Sequence, residues 1–214
     1  MRLRLVGAAV APVWREPTGS APEDRVTEAL AGEPVLTTGD QSEGRVAVVV
    51  PWQPSALAGD GYPGWVAAED LGAEVEEVPS LSVDPAVLAH DSEDPVDLAR
   101  RLLGTPYVWG GLSPRGIDCS GLVHLVHRTL GRVVPRDARD QAAALPAVPL
   151  DDVRRGDLYF FARPDRPVHH VGFVVEPGLM LHASYGDGGV IEGPLDGGRT
   201  DTLVSAARIA VDLR

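Results

Sequence analysis

The sequence predicts an α+β chain, in which a small all-β unit precedes a domain whose helices come first and whose antiparallel sheet follows. Three observations carry that expectation. In the first third, short β-type runs alternate with Gly- and Pro-rich turns. From Ala73 to Asp97 the composition becomes acidic and Pro-containing, which marks a boundary. Beyond it, apolar residues recur first at helical spacing and then in strand-like runs.

The elements follow in order. Residues 1–11 place two Arg ahead of a short apolar run, the outline of a secretory leader. Pro12, Trp14, Arg15 and Glu16 end that run after about seven residues, and no spacer with a small-residue cleavage site follows. A β-strand explains the same residues. Val35 to Thr38, Arg45 to Val50 and Gly64 to Ala67 are further strands, and their spacing suggests a small barrel or sandwich spanning residues 1–78. Residues 79–93 form an acidic, solvated linker, in which His90 has no assigned role. The second domain spans residues 94–214. Asp94 is a candidate N-cap with Pro95 at the first helical position, and Val96, Leu98, Leu102 and Leu103 carry an apolar face as far as Gly104. A second helix begins near Cys119, runs through Leu122, Val123, Val126 and Leu130, and stops at Gly131. Asp157 to Phe161, His170 to Val175 and Leu179 to Ser184 are strands.

Composition narrows the function classes. With 44% hydrophobic and 23% charged residues among 214, the chain is neither disordered nor fibrous. Its net charge is −12, it contains no Lys, and its Arg residues are scattered singly or in pairs, which excludes a nucleic-acid footprint. The lone Cys119 cannot form an internal disulfide or a multi-Cys metal site. No window has the length of a membrane span. The expected location is the cytoplasm, or outside the cell if a leader was removed ahead of residue 1.

Cys119 falls at a helix start, where unpaired N–H groups and the helix dipole favour thiolate and can bind the oxyanion of an attacked carbonyl. Gly116 and Gly121 flank it and would let a substrate backbone come close. A nucleophilic thiol needs a base. A three-residue loop at Glu176-Pro177-Gly178 pairs Val175 with Leu179, Gly172 with His182 and His170 with Ser184. His170 and His182 then share one face as diagonal neighbours, while Val171, Phe173 and Val175 fill the other. Two imidazoles supply a proton acceptor and a group to orient it; His169 points away. His124 and His127 lie at i, i+3, and without a third ligand they are expected on a helix surface rather than at a metal.

These residues together resemble the NlpC family of papain-like cysteine peptidases, bacterial enzymes that cut cell-wall peptides. The resemblance runs through Gly104-Thr105-Pro106-Tyr107-Val108-Trp109-Gly110-Gly111, Asp118-Cys119-Ser120-Gly121-Leu122, Pro135-Arg136-Asp137, Arg155-Gly156-Asp157-Leu158, His170-Val171-Gly172 and Leu181-His182-Ala183-Ser184, in the family's order. It implies Cys119 as nucleophile, His170 as general base and acid, and His182 as the group that orients it. It also implies Tyr107 beside the oxyanion site and Trp109, Asp118 and Ser120 lining the groove. No cofactor or metal is implied.

The N-terminal third is similar to bacterial SH3-like barrels that precede such domains, through residues 10–17, 29–33 and 60–66. The combination resembles the γ-D-glutamyl–diamino acid endopeptidases of cell-wall recycling. That likeness implies a muropeptide partner with a free N-terminal L-Ala, whose amine Glu33, Tyr62 and Asp137 would hold. Ala31 stands where that subgroup has an aromatic residue, and Ala138 where serine is common. Two alternatives remain open, a secreted hydrolase of intact wall and an acyl or amide transferase on the same fold; a wall-binding module with an inactive peptidase domain is opposed by the presence of Cys119, His170 and His182. Neither the diamino acid nor the oligomeric state follows from these residues.

Overall fold

The computed structural model describes residues 1–81, 88 and 92–209. Strands β1 (Arg2–Val6), β2 (Val10–Trp14), β3 (Arg25–Leu30), β4 (Pro34–Ser42), β5 (Arg45–Val50), β6 (Tyr62–Ala67) and β7 (Leu71–Glu74) form one antiparallel sheet. Alternation drives it: along β5, Val46, Val48 and Val50 point into a core shared with Val13, Val35 and Val66. The β4–β5 hairpin closes through Glu43 and Gly44, both left-handed with φ of 51° and 73°. The leader-like segment lies in β1 and β2. The pairing does not give the expected closed barrel. Its order β3-β2-β6-β5-β4-β1-β7 leaves the sheet open, with no ladder between β3 and β7. Instead, Glu28 of β3 accepts the Leu112 N–H at 2.9 Å, so the second half of the chain covers that edge.

Helix α1 (Pro95–Arg100) starts as expected: the Asp94 carboxylate accepts the Val96 N–H at 2.7 Å. Val96, Leu98 and Leu102 are buried, but Leu103 is 47% exposed, because α1 ends before the turn that would bring it inward. The pair β8 (Leu112–Ser113) and β9 (Gly116–Ile117) leads into α2 (Cys119–Thr129). α3 (Ala138–Ala144), too short and Ala-rich to show a periodic stripe, escapes the sequence reading. The strands β10 (Ala147–Val148), β11 (Leu158–Phe161), β12 (His170–Glu176), β13 (Leu179–Ser184) and β14 (Gly189–Pro194), the short α4 (Gly198–Thr202) and β15 (Leu203–Ala207) complete the chain. The sheet order is β10-β15-β11-β12-β13-β14. Its apolar face packs on α1 and α2 through Leu98, Leu122, Val126, Phe160, Val171 and Phe173. Among the described residues, no helix is long and apolar enough to cross a membrane. His90 and most of the acidic segment around it lie outside the described residues.

Candidate active site

Cys119 is the first residue of α2, capped by Asp118, whose Oδ1 accepts the Gly121 N–H at 2.6 Å. The thiol is 7% exposed and lies within reach of the backbone N–H groups of Val171 and Ser120. Burial pushes it up to about 12, and the Asp118 carboxylate adds to that rise, outweighing those N–H groups. Burial and Asp118 thus oppose the thiolate that the helix start favours. Gly116 and Gly121 do not open the site to substrate. Both are buried, and a Cβ on Gly121 would sit 2.9 Å from Asp118 Oδ1.

The β12–β13 register is the expected one near the histidines, with Phe173 opposite Leu181 and Val174 opposite Met180. At the turn it shifts by one residue, so that Glu176 rather than Val175 faces Leu179. His170 Nε2 and His182 Nδ1 are 2.7 Å apart, with the rings edge to face at 79°. Gly172 makes this possible, since a Cβ there would lie 2.8 Å from the His182 Cβ. Burial holds His170 down to about 3, with the charge of His182 adding to it, and burial holds His182 down to about 4. Both imidazoles are neutral at physiological pH.

Cys119, His170 and His182 line one groove of about 1320 Å³, walled on one side by the β5–β6 face of the N-terminal sheet. Tyr107, Trp109, Asp118 and Ser120 line it as well. Trp109 is 53% exposed, and its carbonyl accepts Arg25 Nε at 2.9 Å. The Tyr107 ring meets Tyr185 edge-on at 5.5 Å, and burial with the nearby Cys119 keeps its phenol protonated. Asp118 and Ser120 face inward as much as outward, because the Arg136 guanidinium binds both Asp118 oxygens, at 3.0 and 2.8 Å, and Ser120 Oγ at 3.0 Å.

Of the three residues expected to hold a substrate amine, two meet. Tyr62 Oη donates to Asp137 Oδ2 at 3.0 Å, and both face the groove, where burial raises the Asp137 carboxyl. Glu33 is not with them. It is 0% exposed, pairs with Arg128 at 2.8 Å and accepts Gln53 Nε2 at 3.0 Å, so its carboxylate serves the contact between the two halves.

Two features escape the sequence reading. Arg136, 0% exposed, also donates from Nε to Thr27 Oγ1 of β3 at 2.8 Å, which ties the N-terminal sheet to the cap of the nucleophile helix. The resemblance runs through Pro135-Arg136-Asp137, but it assigns Arg136 no role, and no local pattern announces the buried ion pair. His124 and His127 are each 1% exposed, not on a helix surface, because α2 is enclosed by β12, β13, α1 and β8. His124 Nδ1 pairs with the Val134 carbonyl at 2.9 Å, and His127 packs on the Phe173 ring at 5.7 Å. No group of His, Cys, Asp and Glu that could hold a metal occurs among the described residues.

Comparisons with known proteins bear on this geometry. The NlpC/P60 family model matches residues 104–208. The chain is 34% identical over 212 aligned residues to the γ-D-glutamyl-L-lysine dipeptidyl-peptidase of Bacillus subtilis (strain 168), covering 73% of this chain and 71% of that protein. It is 33% identical over 117 residues to a probable endopeptidase of Corynebacterium glutamicum (strain R), spanning about half (54%) of that relative's length. A crystal structure of an NlpC/P60 family protein from Bacillus cereus ATCC 10987 has the same fold, with a TM-score of 0.82 at 23% identity over 96% of this chain and 99% of that one. A thiol at a helix start, a histidine pair on the facing strands and these likenesses agree: the chain belongs to the NlpC/P60 family and is a cysteine peptidase.

Proposed function

We propose that this chain is a peptidoglycan endopeptidase that hydrolyses the γ-D-glutamyl–diamino acid bond of wall-derived peptides with a free N-terminal L-Ala. The observation that carries the reading is the 2.7 Å His170–His182 pair opening on the same groove as Cys119. Cys119 Sγ attacks the γ-amide carbonyl while its proton passes to His170, and Tyr107 with the N–H groups of the first turn of α2 steadies the oxyanion. For His170 Nδ1 to accept that proton, Nε2 carries the ring hydrogen and donates it to His182 Nδ1, which fixes the tautomer. Collapse breaks the C–N bond, His170 returns the proton to the leaving amine, and water hydrolyses the thioester to a free γ-carboxylate.

The choice of bond is supported by the B. subtilis relative, which is by name a dipeptidyl-peptidase on γ-D-glutamyl-L-lysine. An enzyme that removes a dipeptide must sense an amine two residues from the cut. Asp137, held by Tyr62 in the groove, offers an acceptor that gains a charge-assisted bond when an ammonium arrives. On this reading the N-terminal sheet is an SH3-like unit that serves as a groove wall.

The test is turnover of L-Ala-γ-D-Glu-L-Lys, its N-acetylated form and intact sacculi by the wild type and C119A. Cleavage of the free-amine peptide alone, lost in C119A, is expected. Undiminished turnover by C119A removes the mechanism, and efficient release from sacculi removes the amine requirement.

A further inference from the structure

The leaving-group side of the groove carries a charge that this mechanism does not use. Leu203, the first residue of β15, lies opposite Phe161 of β11, and Phe161 lies opposite His170 of β12. β13 ends at Ser184, two residues beyond His182. The segment preceding β15, His170 and the end of β13 therefore meet at one end of the sheet, and α4 places Arg199 there. Arg199 donates from Nη2 to Asp187 Oδ2 at 2.8 Å, in the turn between β13 and β14, and Ser184 Oγ donates to the same oxygen at 2.6 Å. The guanidinium is thus held across the ends of β11 and β12, beside the histidine pair.

The Arg199 side chain is 31% exposed and lines the groove. Arg15 and Arg139 also line the groove, but Arg199 is the arginine whose charge acts on both His170 and His182. Asp196 forms a second, looser ion pair with Nη1 at 3.6 Å, longer than a hydrogen bond, so one hydrogen-bonded carboxylate, Asp187, leaves further N–H groups of the fork to reach a planar acceptor. Its positive field adds to burial in keeping both imidazoles neutral, which agrees with its nearness to them.

We infer that Arg199 is a specificity residue that binds a carboxylate of the amino acid released by cleavage. The inference rests on the function proposed above. His170 hands its proton to the leaving amine, so the released residue lies on the His170 side, away from the Tyr62–Asp137 end. A diamino acid has its α-carboxylate one carbon from that amine, and a diaminopimelate-type residue has a second carboxylate at its far end. Both present the same planar acceptor, and an arginine fork binds it with a geometry that lysine cannot reproduce.

The test compares kcat/KM of the wild type, R199Q and R199K on three peptides. These are L-Ala-γ-D-Glu-L-Lys, its C-terminal amide, and L-Ala-γ-D-Glu-diaminopimelate with the α-carboxyl amidated and the distal one free. The wild type is expected to favour a peptide with the bound carboxylate over the Lys amide by about tenfold or more. In R199Q that ratio falls toward one, and R199K keeps part of it. Because the ratio is internal to each variant, partial unfolding does not mimic its loss. Loss of rate in both amidated peptides assigns the α-carboxylate, and recovery with diaminopimelate assigns the distal one. Equal wild-type rates on all three, or a wild-type ratio retained in R199Q, overturn the inference alone. Cleavage of none of them by the wild type overturns the proposed function and the inference with it.

Discussion

Replacing Arg136 by Met tests whether the cap of the nucleophile helix depends on a buried ion pair. The guanidinium is 0% exposed and donates to five acceptors: both Asp118 oxygens, Ser120 Oγ, the Gly111 carbonyl and Thr27 Oγ1, at 2.8 to 3.2 Å. Met fills a similar volume but leaves the Asp118 carboxylate, whose side chain is 11% exposed, without a counter-charge. Asp118 would keep only the N–H groups of Gly110 and Gly121 and the Ser120 hydroxyl. Breaking a buried pair on one side costs about 3–5 kcal/mol, a third or more of the ~5–15 kcal/mol that holds a typical domain together. Urea unfolding followed by fluorescence of the 4 Trp residues should show that loss in the midpoint at an unchanged slope. Adding D118N removes the stranded charge while Asn still caps the helix, and should restore about 1 kcal/mol or more. A loss under about 1 kcal/mol in R136M, or no recovery in the double variant, would refute the reasoning.

Two further outcomes follow from buried titratable groups. Burial holds His124 and His127 at about 3, below their ordinary value of 6.5, so the unfolded chain binds more protons than the folded one in that window. Their contribution to stability is full above pH 6.5 and is lost as pH falls toward 3. Between pH 6.5 and 5 the loss is about 3 kcal/mol for the pair; His127→Leu should flatten the urea-midpoint slope, and an unchanged slope would sink the account. For Cys119, pushed up to about 12, alkylation by iodoacetamide should quicken about tenfold per pH unit from 7 to 9. A plateau near neutral pH would instead reveal a thiolate–imidazolium pair.

What the sequence made legible was whatever depends on local patterning. Asp94-Pro95 announced α1, the alternation in Arg45–Val50 announced β5, and the residues around Gly172 set the register that brings His170 to His182. What it concealed depends on tertiary enclosure. Glu33 was expected at the substrate amine from the family likeness alone, whereas its partner Arg128 lies 95 positions away and only the fold joins them. His124 and His127 were expected on a helix surface because no third ligand joins them as a metal site would require. Nothing within α2 records that elements pack around it on every side. The open edge of the N-terminal sheet was hidden for the same reason, since β3 is covered by the short strand β8 from the other half of the chain.

Magnitudes also decide how the thiol and the imidazole begin the reaction. A helix N-terminus favours an adjacent anion by about 0.3–1 kcal/mol, and by up to ~2 in sheltered geometry. The rise of Cys119 from 9.0 to about 12 corresponds to ~4 kcal/mol in the opposite sense. Burial and the Asp118 charge therefore win, and the helix start cannot by itself maintain a thiolate. His170, held down to about 3 by burial, is likewise disfavoured as a charged imidazolium. Proton transfer from one to the other before substrate binds would create two ions that the site disfavours. On the mechanism proposed above, both directions favour attack coupled to proton transfer, with the negative charge passing to the carbonyl oxygen as it leaves sulfur and His182 stabilising the imidazolium. On that proposal the histidine pair serves in the step as a general base, and a pH-independent alkylation rate of Cys119 near neutrality would refute the coupling.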